Sequence, residues 1–186
     1  MQVVPMSAPL GAIVEDLDVR SVDERLWPTL NDLFNKHHVL VFPNQDLTPA
    51  DHMAFAQHWG DLVPFPYGGI DGYPNIIELR NSGKKRDVNQ HWHSDMTYDP
   101  KPPKLTMLYA LEAPALGGET AFSNQILAYQ ELSQGLRDVV DELVALHSAE
   151  DLARLYGADP ADASKAEHPV VRTHDENGQR GLYVCR

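Results

Sequence analysis

Proline and glycine punctuate this chain so often that no long regular element can run through it. Fourteen prolines and twelve glycines fall among 186 residues. Proline removes a backbone donor and glycine opens left-handed conformations, so each tends to end a helix or strand. The texture predicts short strands joined by turns, with a few helices. Leu26, Leu30, Leu33 and Phe34 recur at helical spacing within residues 22–36, and the β-branched and aromatic run 39–42 follows, so helix and then buried strand are predicted. Thr48, Pro49 and Asp51 supply an N-cap, a first-turn proline and a first-turn acid for a second helix carrying Met53 to Trp59. Further strands are predicted at 75–79, 105–111, 119–122, 170–171 and 182–184, and helices at 124–134 and 136–147. The region 61–90 is otherwise rich in turn residues and reads as loop, where binding residues often sit. The stretch 157–169 reads as a connecting loop or part of a lid.

Charge and composition narrow the class of partner. A formal charge of -12 repels both a phosphate backbone and an anionic membrane surface, so neither nucleic acid nor membrane is expected. No apolar run approaches the roughly 20 residues that span a bilayer, and the N-terminus lacks a basic start followed by an apolar segment. Cys185, the one cysteine, has no cysteine partner for a disulfide. A single cytoplasmic domain over 1–186 is the expectation, with oligomeric state open, a homo-oligomer included. The chain stops directly after an apolar strand-like run, which suggests a segment beyond Arg186.

The residues that carry chemistry are in His91-Trp92-His93-Ser94-Asp95. His-x-Asp alone is weak, since nine histidines and 17 aspartates give about 0.8 chance matches in a chain of this size. In an extended strand His93 and Asp95 share a face, about 6.6 Å apart along the backbone, and can converge on one ion. His91 would lie about 13 Å from Asp95 on the same strand, too far to ligate an ion bound at about 2 Å. Two histidines and one carboxylate with open positions form the facial triad of non-haem Fe(II) oxygenases, its third ligand coming from elsewhere in the chain. The bland alternative is a polar strand face or loop. Lys84-Lys85-Arg86 is read as a solvated loop, Trp92 and Tyr98 as packing residues or pocket lining.

The run NQHWHSDMTYDPKPPKLTMLYALEAPALGGETAFSNQILAYQEL resembles the core of the Fe(II)/2-oxoglutarate-dependent dioxygenases of the TauD/TfdA family, typified by taurine dioxygenase and 2,4-dichlorophenoxyacetate dioxygenase. LGAIVEDLD, HHVLVFPNQDLTPADHMAFAQHWGDL and HPVVRTHDENGQRGLYV extend the likeness over nearly the whole chain. The resemblance implies a mainly β fold with flanking helices: a double-stranded β-helix (jelly-roll) core, incomplete at its C-terminus. It implies hydroxylation of a small organic acid (sulfonate, sulfate ester or aryloxyalkanoate), with Fe(II), O2 and 2-oxoglutarate as cosubstrate decarboxylated to succinate. By position, His93 and Asp95 match the first two iron ligands, Thr120 in GGET the hydroxyl that holds the distal carboxylate of 2-oxoglutarate, and Asn89, Phe65 and Tyr67 the substrate pocket.

Two departures bear on this expectation. Phe65-Pro66 stands where taurine dioxygenase has a histidine and proline, and a phenyl ring cannot donate to a sulfonate, so a more apolar or aromatic acid gains over taurine. The family's third iron-binding histidine and its 2-oxoglutarate arginine lie beyond the strand matching GLYV. His147, His168, His174 with Glu176, and Arg172 are weak substitutes, because the HPVVRTH segment recurs in the family without binding metal. The alternative is a non-catalytic jelly-roll binding protein that has lost the third ligand; a third option is a cupin-like metalloenzyme using His91 and His93.

Overall fold

A computed structural model describes residues 1–7, 9–80 and 91–185. An N-terminal sheet has the order β1-β2-β3. β1 (Gln2–Pro5) pairs antiparallel with β2 (Ala12–Glu15), which runs parallel to the two-residue β3 (Leu40–Val41). Between β2 and β3 lies α1 (Trp27–His37), shorter at its start than the predicted 22–36 because Asp23 makes a local turn there, accepting from the Arg25 and Leu26 amides. α1 ends at His38, in the left-handed region at φ 64. α2 (Pro49–Ala56) carries the full capping box anticipated from Thr48 and Asp51, and a 3-10 turn at Gln57–Trp59 completes the second predicted helix.

These elements close over one core. Val14, Val19, Val22, Leu30 and Phe55 are buried together, with Trp27, Leu33, Phe42, Trp59 and Met107 packed around them. Trp27 and Trp59 meet edge to face at 4.5 Å, and Phe55 meets Trp59 at 5.0 Å, arrangements that match the aromatic quadrupole.

The second half differs more from expectation. α3 (Gln125–Gln130) and α4 (Gln134–Val140) form within the two helical stretches, but 144–148 is a strand, β4 (Val144–Ser148), rather than the end of a helix. Its alternate residues Ala145 and His147 turn inward, and full pairing with β5 (Lys165–Pro169) supplies the partner that the local pattern could not reveal. α5 (Glu150–Leu155) and a short 3-10 turn connect them, so 157–169 is loop only in its first part. β6 (Val171–Thr173) and β7 (Arg180–Leu182) pair antiparallel, close to the predicted 170–171 and 182–184.

The stretches 75–79, 105–111 and 119–122 adopt no ladder among the described residues. Residues 105–110 nevertheless alternate between half-buried and exposed, the periodicity of an extended chain with one face covered. Met107 reaches the core, and Tyr109 is anchored through its hydroxyl, which accepts from the Leu47 amide and donates to the Gln45 carbonyl. Thr106 and Leu108 thereby face the other way. Among the described residues no helix is long and apolar enough to cross a membrane.

Candidate metal centre

Residues 91–95 are irregular rather than a strand, and Asp95 opens a turn through Tyr98. The convergence expected from alternation is present all the same: His93 Nε2 lies 3.2 Å from Asp95 Oδ1. His93 Nδ1 sits 2.7 Å from the His91 carbonyl oxygen. A carbonyl only accepts, so Nδ1 carries a proton, and Nε2 is the ring nitrogen turned towards the carboxylate. Two ligand atoms bound at right angles to an ion at about 2.1 Å are roughly 3.0 Å apart, close to the observed separation. In this contact His91 contributes its backbone carbonyl.

Sequence reasoning missed Thr106. Its hydroxyl donates to Asp95 Oδ2 at 2.7 Å, leaving Oδ1 to face His93. An outer partner of this kind orients a ligating carboxylate. No sequence signal marks Thr106 beyond its place on the outward face of an extended run.

The chain matches the family described as taurine catabolism dioxygenase TauD, TfdA family, over residues 2–186. It belongs to the TauD/TfdA family. Among its relatives is an alpha-ketoglutarate-dependent sulfate ester dioxygenase of Pseudomonas putida, 32% identical across 99% of this chain and 66% of that protein. Another is an (S)-phenoxypropionate/alpha-ketoglutarate-dioxygenase of Sphingobium herbicidovorans, 29% identical across 99% of this chain and 70% of the relative. Among solved structures, AAD-2 in complex with Mn(II) and N-oxalylglycine superposes with a TM-score of 0.79 at 25% identity, over 100% of this chain and 69% of that one. The chain thus spans about two thirds of the length of these three proteins.

The substitute ligands considered for the third position are occupied elsewhere. His168 Nε2 faces the carbonyl oxygens of Thr97 and Asp99, and His147 Nδ1 faces Cys185 Sγ at 3.3 Å. His174 Nδ1 accepts from the Glu176 amide, while the Glu176 carboxylate is held by Lys104, Asn31 and Asn35. Arg172 stacks its guanidinium over Tyr183 at 4.5 Å. Among the described residues no group of three histidine, cysteine or acidic side chains converges on a metal position.

The remaining site residues are more scattered. Thr120 is exposed, in an irregular stretch, and shares no hydrogen bond with His93 or Asp95. Asn89 and the basic run Lys84-Lys85-Arg86 lie outside the described residues. Phe65 and Tyr67 do come together, and Tyr156 from the end of α5 joins them, stacking on Tyr67 at 5.0 Å and meeting Phe65 at 5.4 Å. Their loop is compact: Phe65 N–H reaches the Pro74 carbonyl and Ile70 N–H the Ile76 carbonyl. Gly69 is required there, because a Cβ would collide with the Tyr73 carbonyl oxygen and stand 2.7 Å from Pro74 Cα. A cavity of about 260 Å³ opens beside this aromatic wall, bordered by Pro66, Tyr67, Tyr98, Ala158, Asp162 and Ser164. The Tyr98 hydroxyl is buried without a partner among the described residues. Burial first, then the neighbouring Tyr67, Asp95 and Asp99, pushes its pKa up to about 12, so it stays protonated at any ordinary pH.

Proposed function

We propose that the protein is an Fe(II)- and 2-oxoglutarate-dependent dioxygenase that hydroxylates a small organic acid of the sulfonate, sulfate ester or aryloxyalkanoate class. The observation that carries this reading is the His93 Nε2–Asp95 Oδ1 approach, with Nδ1 tied to a carbonyl and Oδ2 tied to Thr106. The donor set of one imidazole and one carboxylate fits Fe(II) and supplies two of the three positions of a facial triad. Membership of the TauD/TfdA family and the activities named for the relatives support the enzymatic reading over a non-catalytic binding protein. They also support a jelly-roll core, within a single dioxygenase domain over residues 1–186.

When bound, Fe(II) with O2 and 2-oxoglutarate supplies the oxidising chemistry, coupling decarboxylation to succinate with hydroxylation of a substrate C–H bond. The chain's own residues prepare the site. The His91 carbonyl fixes the His93 tautomer, and Thr106 turns Asp95 towards His93. Thr120 is assigned to the distal carboxylate of 2-oxoglutarate on the strength of its place in GGET. Phe65 and Tyr67, with Asn89, are assigned to the substrate, and the aromatic wall with Tyr156 favours an aryl or alkyl group over a short polar one. A cytoplasmic location agrees with the single cysteine.

The test is succinate formation from 2-oxoglutarate by the full-length protein with Fe(II) and a panel of sulfonates, sulfate esters and aryloxyalkanoates. Turnover dependent on both Fe(II) and 2-oxoglutarate is expected, and His93→Ala should abolish it. Full activity in His93→Ala, or no turnover with any of the panel, would sink the reading.

A further inference from the structure

The turn that follows Asp95 is held by a histidine on a different sheet. His168 lies on the inward face of β5 and is 6% exposed. Its Nε2 is 2.8 Å from the Thr97 carbonyl oxygen and 3.1 Å from that of Asp99. Both oxygens are acceptors only, so Nε2 carries the proton and one N–H is shared between them. Between Asp95 and Thr97 stands Met96 at φ 52, a left-handed conformation that costs a non-glycine residue and persists only where surroundings enforce it. The surroundings here are explicit. Asp99 N–H closes the turn on the Met96 carbonyl at 3.0 Å. Thr97, 4% exposed, is pinned through its hydroxyl to Cys185 Sγ at 3.1 Å. The His168 ring is itself locked edge-on between His147 at 5.2 Å and Tyr183 at 5.3 Å, and β4 pairs with its strand in full register.

We propose that His168 is a positioning residue for the Asp95 carboxylate: by clamping the Thr97 and Asp99 carbonyls it enforces the Met96 turn that aims Asp95 at His93. The proposal rests on the reading of Asp95 as a metal ligand. His168 touches neither the ion nor a substrate; it transmits the rigidity of the β4–β5 sheet to a partly exposed side chain whose own direct support is Thr106. Without the clamp, Met96 relaxes towards an ordinary conformation and Asp95 samples orientations that no longer converge with His93.

The experiment is a Co(II) titration of the full chain, reading affinity and the visible ligand-field spectrum, for wild type, His168→Leu, His168→Gln and Asp95→Ala. His168→Leu removes the donor at similar volume, and His168→Gln returns an N–H at the same reach. Loss of a partner bonded directly to a ligand typically costs about 10- to 100-fold in metal affinity; acting one step further out, His168 should fall at the low end, so a loss of about tenfold with an altered spectrum is expected in folded His168→Leu, largely recovered in His168→Gln. Folded His168→Leu with wild-type affinity and spectrum overturns the clamp. Unchanged Co(II) binding in Asp95→Ala, or none in the wild type, overturns instead the assignment of Asp95 as a ligand. Should His168→Leu fail to fold, the decision passes to His168→Gln and to the wild-type imidazole 15N spectrum. Wild-type affinity in the glutamine variant together with a slowly exchanging Nε2 proton upholds the clamp, and the absence of either overturns it.

Discussion

Glu176 is the sharpest point at which this fold can be perturbed by a single proton. Its carboxylate accepts from Asn31 Nδ2 at 2.9 Å and Asn35 Nδ2 at 2.6 Å, both on α1, and is paired with Lys104. The node ties α1, the β6–β7 turn and the start of the run that delivers Thr106 to Asp95. The Lys104 hydrogen bond, then those from Asn35 and Asn31, lowers the Glu176 pKa from 4.5 to about 2. At about 1.4 kcal/mol per unit that gap caps the contribution at about 3.5 kcal/mol. Its side chain is 35% exposed and that of Lys104 30%, so solvent screening reduces the figure to about 1–2 kcal/mol. Glu176→Gln keeps the shape, removes the charge and sets an amide NH2 against either Lys104 or the two asparagine donors. It should lower the urea unfolding free energy by that amount at pH 7, or Tm by about 3–6 °C for a chain of this size.

The pH dependence fixes the sign. A carboxyl held below its unfolded value contributes its full stability above about pH 4.5. The contribution then declines as pH falls towards 2, because the unfolded chain takes up the proton first. The wild-type advantage over Glu176→Gln should therefore be constant from pH 7 to about 5 and shrink on acidification below that. Urea melts of both proteins at stepped pH, with a 13C titration of the Glu176 carboxyl, check the reasoning. A midpoint at or above 4.5, or an advantage that grows as pH falls, would refute it.

Two further outcomes concern the site. Thr106→Val removes the only side-chain donor to Asp95 Oδ2 among the described residues and should weaken Mn(II) binding about tenfold. Because Thr106 is exposed, the unfolding free energy should move by less than about 1 kcal/mol; a Mn(II) titration that matches wild type would count against the assigned role. Phe65→His gives the aromatic wall a donor, and one hydrogen bond to an anion is worth about 1.5–3 kcal/mol. The ratio of kcat/KM for an alkyl sulfonate over an aryloxyalkanoate should rise by about tenfold or more, and an unchanged ratio would remove Phe65 from the substrate pocket.

What was legible in the sequence was what neighbouring residues decide among themselves. The Thr48–Asp51 capping box, the apolar stripe of α1 and the pairing of His93 with Asp95 each need only a few consecutive positions, and each appears in the structure. His93 Nε2 and Asp95 Oδ1 come within 3.2 Å even though no strand forms there. Misreadings occur where a distant partner decides. Val144-Ala145-Leu146-His147 looks helical until β5, some twenty residues on, pairs with it; Leu105 to Leu111 has strand periodicity but no ladder among the described residues, so it stays irregular. The same rule separates the visible from the hidden parts of the site. His93 and Asp95 are two residues apart, whereas Thr106 reaches Asp95 across 11 residues and His168 reaches Thr97 across 71. Ligands that must share an ion can be adjacent in sequence, but the groups that hold them still have to come from elements packed behind them, and their spacing is set by topology. In a chain with this much non-local support, the side chains that steady His93 and Asp95 are the ones sequence periodicity cannot reach.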